Sequence, residues 1–129
     1  MYQDLAPMFL VDDVDEAVQW YRDILGAQLQ ASLPDTPPFE WVSLKLDGVE
    51  IMFARKESGR KWYTDRVETS IKPTNIIAYI YVNDINSMYE QLKDKAQVIM
   101  KPVDQDYGIR EFAFQDPFGF VIVVAQIIE

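Results

Sequence analysis

The chain has 129 residues, a length suited to one compact domain, and 49% of them are apolar, enough for a core. Twelve basic against 21 acidic side chains leave a net charge of −9, which argues against nucleic acid or an anionic membrane surface as partner; it is compatible with a cationic partner, and more simply with an acidic surface that keeps the protein in solution. The chain holds no histidine and no cysteine, so Ser-His-Asp, Cys-His and two-His-one-carboxylate sites are all excluded, and so is a disulfide frame.

The opening residues, MYQDLAPMFL, show no basic segment followed by an apolar one, and no apolar run approaches the roughly 20 residues of a membrane span, so a cytoplasmic protein is expected. Residues 7–11 read as a short strand. DDVDEAVQWYRDILG reads as a helix that Asp12 or Asp13 can cap, with Glu16 three places after Asp13. Val14, Ala17, Val18, Tyr21 and Leu25 recur at helical spacing, and Gly26 ends the element. Strands follow near 27–32, 40–46 and 49–54, the last two joined by the hairpin signal Asp47-Gly48.

The order then repeats. IIAYIYVNDINSMYEQLK supplies a strand, a cap at Asp84, and a helix with Ile85, Met88, Tyr89 and Leu92 on one side. Strands near 97–101, 109–115 and 119–127 complete the set. Val11-Asp12-Asp13-Val14 matches Val82-Asn83-Asp84-Ile85, and Gly48 matches Gly119, both 71 positions later. Two anchors at one offset point to a duplicated βαβββ unit.

Between the copies, RKESGRKWYTDRVETSIK (55–72) carries six of the twelve basic residues. A charged connection of this length is either a linker or a lid, and the adjacent Trp62 and Tyr63 favour a lid. In the late turn, Asp116 is suited to cap, Pro117 presets φ and Gly119 supplies a left-handed position.

FLVDDVDEAVQWYRDILG, VNDINSMYEQLK and YGIREFAFQDPFG together resemble the vicinal oxygen chelate superfamily, which includes glyoxalase I, extradiol dioxygenases and bleomycin-resistance proteins. The resemblance covers nearly the whole chain. It implies an α+β fold of two βαβββ modules (about 5–54 and 75–127, with a connector at 55–74) forming a curved mixed sheet, with helices on the convex face. The ligand site lies on the concave face, and such small members usually form homodimers. The resemblance also places metal ligands at four positions, which here are Ala6, Met52, Ile77 and Val123. None offers a donor for a hard or borderline dication, and Met52 carries only a thioether. Glu50 shares the parity of Met52, but a single carboxylate makes no tight site. No metal and no other cofactor is therefore expected.

Strand parity fills the concave face with other side chains. Met8 and Leu10 go with Ala6, Tyr79 and Tyr81 with Ile77, and Val121 and Ala125 with Val123. Trp41, Ser43 and Lys45 are expected there too, as are Arg110, Phe112 and Phe114. Arg110 either clamps an acidic or carbonyl group of a ligand or pairs with Asp116 or Glu111. The expected ligand wall is Met8, Trp41, Ser43, Met52, Trp62, Tyr63, Ile77, Tyr79, Arg110, Phe112 and Val123. Such rings suit a flat aromatic or a cationic compound. The function expected is metal-free binding of a small molecule, with no catalytic residue assigned. A glyoxalase-like lyase or drug-modifying enzyme, and a dimeric scaffold whose cavity is filled by its own side chains, are the alternatives.

Overall fold

The computed structural model describes residues 1–69 and 74–128. The chain divides into two compact units, Met1–Ile71 and Lys72–Glu129. Lys72, counted above among the connector's basic residues, lies outside the described residues.

The first unit runs β1 (Met8–Val11), α1 (Val14–Leu25), β2 (Gln28–Leu33), β3 (Trp41–Leu46), β4 (Val49–Arg55) and α2 (Lys56–Trp62). Its strands form one sheet in the order β1-β4-β3-β2. β1 and β4 are parallel and the other pairs antiparallel. Asp13 caps α1, accepting a hydrogen bond from the Glu16 backbone N–H at 3.1 Å. At the other end Gly26 takes φ 72, a left-handed position that costs a residue with a Cβ, and its N–H closes on the last helical carbonyls. Val14, Ala17, Val18 and Tyr21 are the buried stripe of α1. The Tyr21 ring meets Phe53 of β4 edge-on at 4.8 Å, and Phe53 meets Phe9 of β1 at 5.7 Å. These rings, with Val42, Leu44 and Ile51, form the core between α1 and one face of the sheet.

The second unit repeats the plan with β5 (Ile77–Tyr81), α3 (Ile85–Leu92), β6 (Gln97–Asp104), β7 (Ile109–Gln115) and β8 (Val121–Ile127). Its sheet order is β5-β8-β7-β6, again with only the first pair parallel. Asp84 caps α3 by accepting from the Ser87 N–H at 3.1 Å. Tyr89 of α3 meets the ring of Phe112 at 5.2 Å, above a core of Phe112, Phe114, Ile122 and Val124. The two βαβββ modules expected from the repeat are thus present, each with its own four-stranded mixed sheet.

The connector differs from expectation. Arg55 is the last residue of β4, and the next seven residues form α2, which belongs to the first unit rather than lying outside both modules. Ser58 and Gly59 are buried, and Ser58 donates to Glu40 at 3.1 Å. A Cβ on Gly59 would sit 2.8 Å from a methyl of Leu10, so a side chain there would displace Leu10. Because Phe9 and Val11 point toward α1, Leu10 points the other way, and α2 lies on the sheet face opposite α1.

Candidate functional site

Residues paired across strands share a face, so the registers assign every sheet position. In the second unit Tyr79 pairs with Val123 and Val123 with Ala113, Tyr81 with Ala125 and Ala125 with Glu111, and Ile77 with Val121 and Val121 with Gln115. These residues form the face turned away from α3. The opposite face carries Phe112, Phe114, Ile122 and Val124.

Two expected wall residues are therefore misplaced. Phe112 is fully buried against Tyr89 of α3. Arg110 is on the same side: it donates Nε and Nη2 to the two carboxylate oxygens of Asp104 at 2.6 and 3.1 Å, and Nη1 to Asn86 of α3 at 3.3 Å. Neither Asp116 nor Glu111 is its partner. The cause is the length of the second turn. In the first unit Leu46 pairs with Val49, leaving a two-residue loop, whereas Gln115 pairs with Val121 across five residues. Counted from the last strand, the constant offset of 71 becomes 70 on β7, so Ser43 corresponds to Ala113 and every side chain changes face.

The longer turn is held by Asp116, whose Oδ1 accepts from the N–H groups of Phe118 and Phe120, each at 2.9 Å. Gly119 takes φ 99 there. Asp116 thus caps the turn as the sequence suggested.

The same change of parity brings Glu111 onto the face with Tyr79 and Tyr81. Glu111 is only 6% exposed. Its Oε2 accepts from the Tyr79 hydroxyl, and its Oε1 accepts from Gln105 Nε2 at 2.9 Å and from the Tyr107 hydroxyl at 3.0 Å. Gln105 and Tyr107 come from the β6–β7 turn. That turn is closed by hydrogen bonds from the Gln105 N–H to the Ile109 carbonyl and from the Gly108 N–H to the Gln105 carbonyl, with Gly108 at φ 77. Burial alone would raise the Glu111 carboxyl, but the donors Tyr79, Tyr107 and Gln105 outweigh it and hold the group below its ordinary value. The bond to Glu111, burial and the adjacent negative charge push the Tyr79 phenol well up. Burial and the same carboxylate raise Tyr107. At neutral pH the cluster is one carboxylate under protonated tyrosines. No Lys or Arg among the described residues forms an ion pair with it.

Around the carboxylate the tyrosine rings stay open to solvent: Tyr79 is 41% exposed, Tyr81 60% and Tyr107 62%. Tyr79 and Tyr81 meet edge-on at 5.3 Å. Ile77 is also exposed, whereas Val123 is buried beneath them.

In the first unit Met8 pairs with Met52, Met52 with Ser43, and Ala54 with Trp41, so Met8, Trp41, Ser43 and Met52 do share a face. Ser43 is buried there and donates to Glu50. Trp62 and Tyr63 close α2 and are exposed.

The four positions at which the resemblance places metal ligands do not fit a metal. Ala6 and Met52 in one unit and Ile77 and Val123 in the other offer no imidazole, carboxylate or thiolate. The described residues contain no group of three or more carboxylates arranged to hold an ion. Glu111 is a poor substitute, since three of its acceptor sites are already filled by N–H and O–H donors.

Glu111, Gln105 and Tyr107 were not singled out from the sequence as site residues. The signal that could have found Glu111 is the unequal length of the two turns.

Residues 6–124 match the model of the Glyoxalase/Bleomycin resistance protein/Dioxygenase superfamily. A "Probable lactoylglutathione lyase" of Synechocystis sp. is 31% identical over 125 residues, 95% of this chain and 93% of that protein. Among solved structures, TioX from Micromonospora sp. ML1 superposes with TM-score 0.81 at 19% identity, covering 98% of this chain and all of that one. A glyoxalase/bleomycin resistance protein/dioxygenase from Nocardioides gives 0.80 at 16% identity over 100% of this chain and 86% of its own. At these identities the two structures speak for the fold alone. No helix among the described residues is long and apolar enough to cross a membrane.

Proposed function

Because the chain belongs to the Glyoxalase/Bleomycin resistance protein/Dioxygenase superfamily, we propose that it is a metal-free binding protein that holds a small aromatic or cationic compound without changing it. The observation carrying this reading is the composition of the second unit's open face. Where the family resemblance asks for metal donors the chain has apolar side chains, and beside them stand exposed tyrosines over an ionised, buried carboxylate. Rings of this kind stack on flat ligands and attract cations through their faces. Met8, Trp41, Ser43 and Met52, with Trp62 and Tyr63, offer a second surface of similar chemistry on the first unit. The protein is proposed to act in the cytoplasm as a homodimer, a state that sedimentation equilibrium measures directly.

The test is metal analysis of dialysed protein joined to a thermal-shift screen of aromatic and cationic compounds, with the recovered ligand checked by NMR. Binding to the native state raises the melting temperature by mass action. Near-zero metal, a shifted melting temperature and an unaltered ligand are expected. Stoichiometric zinc, nickel, manganese or iron surviving dialysis overturns the metal-free reading, and a panel that never shifts the protein overturns binding.

A second reading, a lyase or isomerase, is favoured by one observation: the 31% identical relative is called a probable lactoylglutathione lyase. Turnover of S-lactoylglutathione by the purified protein, with and without added divalent metal, decides it. The apolar residues at all four ligand positions lead to the expectation of none.

A further inference from the structure

We propose that Tyr79, Tyr81 and Tyr107 form an aromatic cage for an organic ammonium group, and that Glu111 beneath them supplies its counter-charge. The inference rests on the binding reading above and narrows the ligand to a cation. Three observations carry it. Glu111 is buried and ionised, yet every group bonded to it is a neutral donor: two phenols and one amide. The basic residue next to it in sequence, Arg110, is committed on the other face of the sheet to Asp104 and Asn86. The charge is therefore compensated by hydrogen bonds but not by a cation among the described residues.

The geometry of the rings follows from the same bonds. Tyr79 and Tyr107 both spend their hydroxyls on Glu111, which fixes the two rings with respect to one carboxylate. Tyr81 stands edge-on to Tyr79 at 5.3 Å. All three rings remain substantially exposed, so their faces are open to a ligand. Ring faces carry negative potential, and the hydrogen bonds to a carboxylate increase electron density on the phenols. A primary amine would need hydrogen-bond acceptors, and three of the carboxylate's acceptor sites are filled. A fully alkylated ammonium needs none, so a quaternary nitrogen is the best match.

Choline and its neutral carbon isostere 3,3-dimethylbutan-1-ol separate the possibilities, with affinities taken from NMR titration. Choline is expected to bind at least about 10-fold tighter than the isostere, the combined effect of several ring faces and one buried charge. Glu111→Gln, which keeps the shape and removes the charge, should bring the two ligands within about 2-fold of each other. Tyr81→Leu, at an exposed position outside the hydrogen bonds to Glu111, should weaken choline about 5-fold with its fold unchanged by circular dichroism. Equal binding of the two ligands, or a preference that survives Glu111→Gln, overturns the cage. If the neutral isostere binds and choline gains nothing, the cage fails while small-molecule binding stands. If both are silent and Tyr81→Glu dissociates a dimer, the face is a contact between copies of this chain, and the cage is overturned.

Discussion

Replacing Asp116 with alanine removes the acceptor that organises the β7–β8 turn. Its Oδ1 takes two backbone N–H groups, those of Phe118 and Phe120, at 2.9 Å each, and the residue is 2% exposed. Hydrogen bonds to a charged group contribute about 1.5–3 kcal/mol each, and buried donors left without a partner cost a similar amount. The two are not independent, because one relaxation of the turn can admit water to both. A loss of about 3 kcal/mol is the resulting expectation for Asp116→Ala. That is a large part of a domain stability of about 5–15 kcal/mol. Asp116→Asn keeps an oxygen in place but makes both bonds neutral, roughly halving them, so its loss should be about 1–1.5 kcal/mol. Urea denaturation at pH 7 reads the difference. With a slope near 1.5 kcal/mol/M, about 3 kcal/mol moves the midpoint by about 2 M. Equal midpoints for the two variants, or a loss below about 1 kcal/mol for alanine, would refute the view that this carboxylate sets the turn and with it the face that β7 presents.

Glu111→Gln should also change how stability depends on pH. The folded carboxyl lies below its ordinary value of 4.5, so its contribution is present above that pH and is lost as pH falls through the folded value. The gap in urea midpoints between wild type and variant should be flat from about pH 6 to 8 and shrink in acid. Tyr79 and Tyr107 are raised above their ordinary value of 10.0, so their contribution is full below that pH and is lost as pH rises through the folded values. A spectrophotometric titration should show both phenols ionising above that ordinary value. Phe112→Leu, on the helix side of β7, should cost about 1–1.5 kcal/mol while leaving ligand affinity unchanged. A selective loss of affinity would return Phe112 to the binding face. Gly59→Val should cost about 1–3 kcal/mol by crowding Leu10, and Leu10→Ala should be less harmful in that background than alone, as a double-mutant cycle of urea midpoints would show.

Much of each module is legible because local chemistry and tertiary packing agree. Asp13 and Asp84 cap where a helix must begin, Gly26 takes the left-handed end, and apolar residues at helical spacing become the buried stripe of α1. α2 was not legible for the converse reason. KESGRKW has no apolar stripe and carries a glycine at its centre, so propensity argues against a helix. What holds it is Leu10, 49 residues earlier in sequence, whose methyls occupy the space a Cβ at Gly59 would need. The strands were found within a few residues, but the faces of β7 were not. One offset across the repeat carries parity only where the turns are of equal length, and here they are not. Arg110 and Phe112 therefore leave the expected face to Glu111.

That single change of register also explains why two modules built on one plan differ chemically. In the first unit the face away from α1 is partly taken up by the module's own parts: α2 seats Gly59 on Leu10, and Ser43 satisfies Glu50. In the second unit the equivalent strand presents a carboxylate whose partners are neutral, and the tyrosines fixed by it are left exposed. Had the second turn also been two residues long, β7 would have turned Arg110 toward the tyrosines and Glu111 toward α3, exchanging a carboxylate for a guanidinium on this face. A buried carboxylate under α3 would also lack Gln105 and Tyr107 as donors, at the cost of an unsatisfied charge. The five-residue Asp116–Phe120 turn is thus both a stability element and the determinant of the sign of the charge on this face.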